Sequence, residues 1–301
     1  MPVRELTEAD LPAITRVAHL GLEFDEINKS LIREKTVDAK DYDPNLGLLW
    51  EEAGEVAAFA QGAVGVKKDG SQPGYVRIMA VHPAFRNRGI GTSLLKEMEA
   101  RLKGKGCTAV SIMDSPNNYF MPGVDFRYTE AFCFLQKHGY EMFRENHNLI
   151  CDLDLNDWPD LDSQIAELAK EGVELRRAVT ADGPEVHDFL EAHWPGWHAE
   201  VQGALDNDPP TLYIGRHEGR VIAFSGYQGN NKSLSWFGPM GTLPVLRGKG
   251  IGGILLRLCL RDLARQGYRK AIIPWVGPVR FYARYSNARL DRCFWAYRKN
   301  L

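Results

Sequence analysis

The sequence predicts two copies of one α/β (α+β) domain in tandem, each a mixed, mostly antiparallel twisted sheet flanked by helices. The chain has 301 residues, which is long for one domain and sufficient for two of about 100–200 residues. A glycine-rich segment occurs twice, and a strand, helix and hairpin precede it each time. We therefore predict an N-terminal domain over 1–155, a linker over 156–172 with a short helix around 165–169, and a C-terminal domain over 173–301.

The clearest repeat relates residues 83–91 to residues 244–252, which read PAFRNRGIG and PVLRGKGIG. Arg86 and Arg247 lie 161 residues apart, and the same spacing relates Gly106 to Gly267. Around this segment the copies agree more loosely. Each begins with a strand that leads into a helix cap, and each continues with a hairpin whose turn contains glycine. So many matches without a gap indicate an internal repeat.

Composition sets limits on the partners. The hydrophobic share is 44%, the charged share is 25%, and the formal net charge is −2, which predicts neither a nucleic-acid nor a membrane partner. No stretch approaches the roughly 18 apolar residues of a spanning helix, and the N-terminus lacks an apolar leader. The five cysteines form no CxxC pair. We expect reduced core thiols in a cytoplasmic protein.

The glycines are predicted to lie at a helix N-terminus directly after a strand. In the first copy the apolar strand 76–81 ends before Pro83, and Ile90, Leu94, Met98 and Leu102 then recur every four residues. Backbone N–H groups are unpaired in the first turn of a helix, and the helix dipole is positive there. With the adjacent basic side chains, such a loop suits a pyrophosphate. Neither copy has the Ser or Thr of a Walker loop or a complete GxGxxG fingerprint.

The pattern Arg-x-x-Gly-x-Gly, after a strand and a proline, resembles motif A of the GNAT family of N-acetyltransferases. The resemblance covers about residues 75–140 and 236–285. It implies that acetyl-CoA is the co-substrate and that the acetyl group passes directly to an amine of a small molecule or peptide. It also implies cofactor binding by the end of each strand and the loop after it. These residues are Ala80, Val81, Arg86, Arg88, Gly89, Ile90, Gly91 and Thr92, and Gly241, Thr242, Arg247, Lys249, Gly250, Ile251, Gly252 and Gly253.

In this family a tyrosine at the start of a later helix protonates the departing thiolate. Tyr282 matches that position, and its ordinary pKa of about 10 lies above that of a thiol near 8.5. Aligning Phe281 with Phe134 places Leu135 opposite Tyr282, so we predict catalysis in the C-terminal copy. A core role for Tyr282 is the alternative. The N-terminal copy holds 14 extra residues before this helix, and their aromatic side chains are expected to form a wall or lid. Tyr119 or Tyr128 from that segment is a candidate substitute for the missing acid.

The acceptor side is less defined by the sequence. No Asp or Glu occupies strand 235–242, so the general base is not identified. His82 is a candidate, although a surface histidine is the simpler interpretation. Residues 191–200, with two tryptophans and two histidines, predict either a pocket for an amine with an apolar body or a packed aromatic loop. The spacing of His187, His193 and His198 does not favour a metal site.

Three functional classes were compared. An N-acyltransferase is favoured by Tyr282 and an intact second loop, and a non-catalytic acetyl-CoA-binding sensor or scaffold is the alternative. A nucleotide-phosphate enzyme is disfavoured because no Asp-rich magnesium cluster is present. The doublet is further expected to be a monomer that acts as a pseudo-dimer.

Overall fold

The computed structural model describes residues 3–66, 70–154 and 159–301. It contains two compact units: unit 1 comprises Met1–Asn146 and Cys293–Leu301, and unit 2 comprises His147–Arg292. Each unit is a mixed sheet with helices packed on it, as the sequence predicts.

Unit 1 starts with β1, leads through two helices to a hairpin, and continues with the strand before the glycine loop. Its strands are β1 (Val3–Glu5), β2 (Gly47–Glu52), β3 (Glu55–Val64), β4 (Gly74–Val81), β5 (Ala109–Ile112) and β6 (Val124–Asp125), followed by β7 (Glu141–Asp152). Its helices are α1 (Leu11–Gly21), α2 (Lys29–Lys35), α3 (Ile90–Gly104) and α4 (Thr129–Lys137). Neighbouring strands from β1 to β4 are antiparallel, and β4 and β5 are parallel.

Unit 2 repeats this order. Its strands are β8 (Val173–Arg177), β9 (Leu212–His217), β10 (Arg220–Tyr227), β11 (Phe237–Thr242) and β12 (Lys270–Ile273), followed by β13 (Arg289–Asn300). Its helices are α5 (Leu161–Lys170), α6 (Gly183–His193), α7 (His198–Leu205), α8 (Ile251–Arg265) and α9 (Val279–Ser286). The strands β8 to β11 are antiparallel, and a parallel bridge between Trp236 and Ile272 joins β11 to β12.

The last strands do not follow the sequence repeat. In unit 1, the partner of β5 is the end of β13, where Arg298 pairs with Ser111 and Lys299 with Val110. In unit 2, the partner of β12 is the end of β7, where Ile272 pairs with Ile150. The predicted boundaries, 1–155 and 173–301, assign each copy its own last strand. In the compact units the end of β13 belongs to unit 1 and the end of β7 belongs to unit 2. The reason is that β13 is hydrogen-bonded to β5, and β7 is hydrogen-bonded to β12.

The predicted linker is largely structured where it is described. Residues 156–158 lie outside the described residues, and α5 occupies Leu161–Lys170, which confirms the predicted helix. Leu161 and Leu168 are buried in the core of unit 2. This segment therefore belongs to the packing of unit 2.

The helix after each glycine loop carries much of the core. In α3, Leu94, Met98 and Leu102 are fully buried, so the predicted apolar stripe is confirmed. In α8, Ile251, Leu255 and Cys259 are buried in the core of unit 2. Burying such a side chain contributes about 1.5–3 kcal/mol. The two helices therefore pin their N-terminal turns, and with them the glycine loops, against the sheets.

An arginine–aspartate pair repeats at the first helix of each unit. Arg4 on β1 bonds Asp10 at 2.6 Å, and Arg176 on β8 bonds Asp182 at 2.7 Å. The hydrogen bond from Arg4 lowers the pKa of Asp10 to about 2. These pairs lie 172 residues apart, and they extend the repeat to the helices α1 and α6.

The thiols agree only in part with the prediction. Cys107, Cys151 and Cys259 are buried, as expected, but Cys293 is partly exposed and Cys133 is exposed. Cys133 was predicted to be a core residue, and that prediction is wrong because it lies on the outer face of α4. Across the described parts of the chain, no helix has both the length and the apolar character needed to cross a membrane.

Truncation after Arg292 tests the exchanged strand. It removes Phe294 and Tyr297, which are fully buried, and it leaves β5 without its antiparallel partner. Each loss costs about 1.5–3 kcal/mol, a large share of the 5–15 kcal/mol of a typical domain. We predict that the backbone amides of β5 exchange with solvent much faster in the truncated chain, whereas those of β9 and β10 keep their protection. Hydrogen–deuterium exchange measures these rates.

Deleting only Leu301 is the matched control, since it removes a single backbone hydrogen bond to Thr108. Unchanged protection of β5 after the longer truncation would contradict the assignment of residues 293–301 to unit 1.

Candidate active sites

Both glycine loops adopt the same left-handed geometry at a helix N-terminus. Gly89 has φ +79° and caps α3, and Gly250 has φ +83° and caps α8. Two residues earlier, Asn87 and Gly248 are also left-handed, with φ +61° and +88°. Glycine adopts this region without strain. A Cβ at Gly89 or Gly250 would meet no atom within 4 Å, so both caps face open space.

Each loop offers unpaired backbone donors together with basic side chains. Within the described residues, the first N–H groups to bond a backbone acceptor after the caps are those of Ser93 and Ile254, which donate to the capping glycines. Earlier N–H groups in the loop and first turn are free to bind an anion. They belong to Gly89, Ile90, Gly91 and Thr92 in unit 1, and to Gly250, Ile251, Gly252 and Gly253 in unit 2.

The basic side chains of the loops lie in weak surface contacts. Arg86 approaches Glu130 at 3.2 Å, Arg88 approaches Glu52 at 3.3 Å, and Lys249 approaches Glu171 at 2.9 Å. Arg247 donates to the carbonyl of Thr242 at 3.2 Å. Exposed ion pairs contribute about 0–1 kcal/mol, so a pyrophosphate can displace these carboxylates at little cost.

A bulge separates the central strand of each unit from its parallel neighbour. In unit 1, Gly62 pairs with Val76 but Gln61 pairs with Ile78, which leaves Arg77 as the extra residue. The last β4–β5 contact is the bond from the Met113 N–H to the Val76 carbonyl, 2.8 Å. Beyond it β4 runs on to Val81 with an open edge. In unit 2 the same shift falls at Gly238 and Pro239, beyond the Trp236 bridge to β12.

Strand alternation decides which backbone groups face the open edge. The N–H groups of His82 and Leu243 donate to β3 and β10, at 2.9 and 3.0 Å. Successive N–H groups alternate in direction, so those of Val81 and Thr242 face the open edge, and those of Ala80 and Gly241 face the neighbouring strand. The same alternation directs the N–H of Met240 to the open edge, which sequence reasoning missed.

Packing around the loops supports the alignment of Phe134 with Phe281. A Cβ at Gly91 would lie 3.7 Å from the Phe134 ring, and a Cβ at Gly252 would lie 3.5 Å from the Phe281 ring. Leu135 therefore occupies the position of Tyr282, and it is buried. Nearby, a Cβ at Gly253 would lie 2.4 Å from the Tyr285 ring, which explains the glycine at that position.

Tyr282 is 9% exposed, and its ring lies edge-on to Phe237 with centroids 6.1 Å apart. Phe237 directly precedes the bulge residue Gly238. Burial raises the pKa of Tyr282 to about 12, and its hydroxyl makes no hydrogen bond in the described part of the chain. A buried, protonated tyrosine without a hydrogen-bond partner among the described residues therefore packs against Phe237, the residue before the bulge of unit 2.

At the bulge itself the two units differ. In unit 1, Arg77 is fully buried and its Nη2 bonds Asp41 at 2.5 Å. Its Nε and Nη1 have no partner in the described residues, an unfavourable state for a buried cation. In unit 2 the equivalent residue is Gly238, and a Cβ there would meet no atom within 4 Å. Unit 2 thus has open space where unit 1 has an arginine side chain.

The extra segment of unit 1 is engaged with the acceptor side of that unit. Tyr119, Phe120 and Met121 are buried, in keeping with the predicted wall, although Phe126 is 46% exposed. The Tyr128 hydroxyl donates to Asp25 at 2.8 Å and accepts from the N–H of Phe24 at 2.9 Å.

Asn118, in the same segment, accepts a hydrogen bond from Lys35 and donates to the carbonyl of Glu34 at 2.8 Å. To act as a substitute acid, the Tyr128 hydroxyl would have to break its hydrogen bonds with Asp25 and Phe24.

His82, the candidate base, caps a turn by accepting a hydrogen bond from the N–H of Ala84 at 3.1 Å.

In unit 2 the predicted acceptor segment packs against β11. A Cβ at Gly241 would lie 3.0 Å from Trp194, and Trp194 stacks with Trp197, centroids 5.8 Å apart and planes at 22°. The rings of His187 and His198 lie 4.3 Å apart. Among the described residues, no group of three or more His, Cys, Asp or Glu is arranged to hold a metal ion.

The open strand edge, the glycine loop and the facing helix together define the fold of an acetyltransferase. The chain matches the model of the acetyltransferase (GNAT) family twice, over residues 15–120 and 174–285. These matches cover more than half of the sequence, and the chain belongs to that family. It is an N-acetyltransferase enzyme by family, and this family generally uses acetyl-CoA.

Three similar proteins cover most of this chain. A mycothiol acetyltransferase of Amycolatopsis mediterranei is 27% identical over 241 residues, which cover 73% of this chain and 72% of that protein. A glucosamine N-acetyltransferase region of a fungal multi-domain β-N-acetylglucosaminidase has the same fold, with a TM-score of 0.81 and 21% identity over 99% of this chain and 38% of that one. A tandem GNAT protein from the clavulanic acid biosynthesis pathway has a TM-score of 0.69 at 15% identity, and the match covers 99% of this chain and 98% of that one.

Aspartate substitutions test whether the loops hold the cofactor. Gly250→Asp and Gly89→Asp each place a carboxylate where a pyrophosphate is expected. For a loop that binds acetyl-CoA, we predict that affinity falls at least about 100-fold, near 2.7 kcal/mol, as measured by calorimetry. If only Gly250→Asp abolishes acetyl-CoA binding, the cofactor site lies in unit 2. If the wild type binds two molecules of acetyl-CoA and each variant binds one, both units hold a cofactor site.

Hairpin glycines supply matched controls for backbone strain. Gly219 and Gly54 have φ +76° and +81° and face open space, so Gly219→Asp and Gly54→Asp carry the same strain away from the loops. Wild-type binding by both loop variants would show that neither loop is the cofactor site.

Proposed function

We propose that this protein is an acetyl-CoA-dependent N-acetyltransferase whose chemistry takes place in unit 2. The observation that carries the proposal is the combination at the bulge of β11: the buried Tyr282, whose hydroxyl has no hydrogen-bond partner among the described residues, packs against Phe237, and the next residue, Gly238, opens onto free space. In unit 1 both features are replaced, by Leu135 and by the buried Arg77.

The cofactor is proposed to bind along β11 and the loop that follows. Free N–H groups from Gly250 to Gly253 face the pyrophosphate, and Arg247 and Lys249 add positive charge. The N–H groups of Met240 and Thr242 then face the pantetheine chain and the thioester oxygen, where a fixed donor stabilises the developing negative charge. The corresponding loop of unit 1 has the same donors, so we propose a second cofactor site there.

Transfer then needs three proton movements. After the ammonium has lost a proton, the neutral amine attacks the thioester carbonyl carbon, the carbon–sulfur bond breaks, and the Tyr282 hydroxyl gives its proton to the departing thiolate. The attacking nitrogen loses its second proton as the amide forms, and this proton returns through water to the Tyr282 oxygen, which restores the acid. Because burial raises the pKa of Tyr282 to about 12, the hydroxyl stays protonated at neutral pH and can act as this acid. The proton from the ammonium leaves through water, since the described residues of β11 carry no carboxylate.

The first acceptors to screen are amines of the kind that relatives use. The fungal neighbour is described as a glucosamine N-acetyltransferase region, and the bacterial relative as a mycothiol acetyltransferase. The first of these resembles this chain in fold at 21% identity. We therefore propose only a small-molecule or peptide amine as the acceptor, with glucosamine as an early candidate.

The alternative of a non-catalytic acetyl-CoA-binding protein applies best to unit 1. Its bulge is occupied by Arg77 and its tyrosine position holds Leu135, so a bound cofactor there would lack both an acid and space for an acceptor. We further propose that the chain acts as a monomeric pseudo-dimer in the cytoplasm, where its free thiols remain reduced.

Tyr282→Phe tests the acid directly. Because the hydroxyl makes no hydrogen bond among the described residues, we expect the variant to fold with an unchanged melting temperature. We predict that kcat falls by about 10²–10⁴-fold and that the KM for acetyl-CoA changes little. Both constants are measured by steady-state kinetics with an amine that the wild-type chain acetylates. Tyr285→Phe, on the next turn of α9, is the matched control and is expected to keep its activity. An active Tyr282→Phe would contradict the proposed role.

A further inference from the structure

Trp194 and Trp197 form a stacked pair, here called the indole platform, in the segment of unit 2 that is proposed to face the acceptor. Their rings stack at 5.8 Å, and Phe224 lies edge-on to both at 5.9 Å. Phe189 supports Trp194 from α6 at 5.6 Å. The platform is therefore rigid on its inner side, whereas both tryptophans remain partly exposed.

The platform lies directly on the strand that is proposed to hold the thioester. A Cβ at Gly241 would lie 3.0 Å from Trp194 and also 3.0 Å from Phe224. Only a glycine at this position allows the indole to approach the strand so closely. Gly241 is followed by Thr242, whose N–H faces the open edge, and lies three residues beyond Gly238. An acceptor that stacks on Trp194 is thus close to the reacting centre.

Unit 1 provides an internal comparison at the same position. The 172-residue spacing that relates Asp10 to Asp182 also relates Leu22 to Trp194. Both residues directly follow a long helix, and their N–H groups bond Ala18 and Leu190. Leu22 is buried and has no flat face, and Ala80 replaces Gly241 on the strand. The platform is therefore a feature of the unit that retains Tyr282.

The indole N–H of Trp194 donates no hydrogen bond within the described ranges, and it is not among their fully buried unsatisfied atoms. Trp194 packs through its ring against the core cluster that includes Phe189 and Phe224, and this packing does not enclose its N–H edge. The exposed edge is available to a ligand.

Charge around the platform favours a protonated amine. Residues 183–205, which form α6, the platform and α7, contain no Lys or Arg but include Glu185, Asp188, Glu191 and Glu200. The equivalent segment of unit 1, residues 11–33, balances Arg16, Lys29 and Arg33 with Glu23, Asp25 and Glu26. A cation is attracted both to these carboxylates and to an indole face.

We infer that Trp194 selects acceptors whose amine is carried on a flat ring, which stacks on the indole platform while the amine points to the strand. This inference rests on the proposed function of unit 2. Two sources share this chemistry: an aromatic amine, and an amino sugar with an apolar ring face. A linear alkyl amine has the same charge but no ring to stack.

The test compares three amines: phenethylamine, glucosamine and hexylamine. We expect the wild-type chain to acetylate at least one ring amine with a kcat/KM about tenfold or more above that of hexylamine. In Trp194→Leu, which carries the residue of unit 1, we expect the KM for that ring amine to rise about tenfold. The kcat for it, the KM for acetyl-CoA and all constants for hexylamine should change little.

Trp194→Phe keeps a flat ring and is expected to retain most of the preference, which separates stacking from loss of packing. Leu22→Ala, at the matched position of unit 1, should leave the preference unchanged. Preference for phenethylamine or for glucosamine identifies the source of the ring.

Equal losses for ring and linear amines in Trp194→Leu would overturn the inference. So would a wild-type chain that uses hexylamine as well as the ring amines, and in that case the proposed function stands. A wild-type chain that binds acetyl-CoA but acetylates none of the three amines would contradict the inference alone, whereas a chain that binds no acetyl-CoA would contradict the proposed function.

Discussion

The bulge in the central strand of each unit is the constraint on which the site depends. One extra residue in β4 or β11 shifts the register by one position, and a bulged strand bends away from its neighbour. The strand therefore loses its parallel partner over its last residues and exposes backbone N–H groups that a sheet would otherwise satisfy. The glycine loop begins where this open edge ends, so the proposed pyrophosphate and thioester sites both depend on one irregularity.

From this shared frame the two units differ in a few side chains. The loop, its left-handed cap and the phenylalanine against its second glycine are the same in both. At the bulge, however, unit 1 has Arg77 and unit 2 has Gly238, and on the facing helix unit 1 has Leu135 and unit 2 has Tyr282. The parts that are proposed to hold a cofactor are thus alike in the two units, and those that are proposed to surround the reacting carbon differ.

The sequence predicted the elements governed by local periodicity and spacing. Strand 76–81, the apolar stripe of α3 and the Phe134–Phe281 match were all readable, because each depends on residues close together in the chain. Arg77 was not identified, since a register shift leaves no mark in the periodicity of either strand. Extending the 161-residue spacing backwards from Arg86 and Arg247 would have paired Arg77 with Gly238.

The pairing of strands distant in the chain could not be predicted from the sequence either, because it leaves no local signal. Both β7 and β13 read as amphipathic last strands, and nothing local tells which sheet edge each will pair with. The contact of Trp194 with Gly241 depends on how a helix end packs on a strand more than forty residues away. The tryptophans are packed against a core cluster, in keeping with the packed aromatic loop, and the pocket for an amine stays a prediction.

A crystal structure of the chain with acetyl-CoA tests the central claim most directly. The account predicts a pyrophosphate at the N-terminus of α8, with the thioester along β11 and its sulfur within hydrogen-bond reach of the Tyr282 hydroxyl. A thioester bound against β4 beside Arg77, with the loop at Gly250 empty, would contradict it.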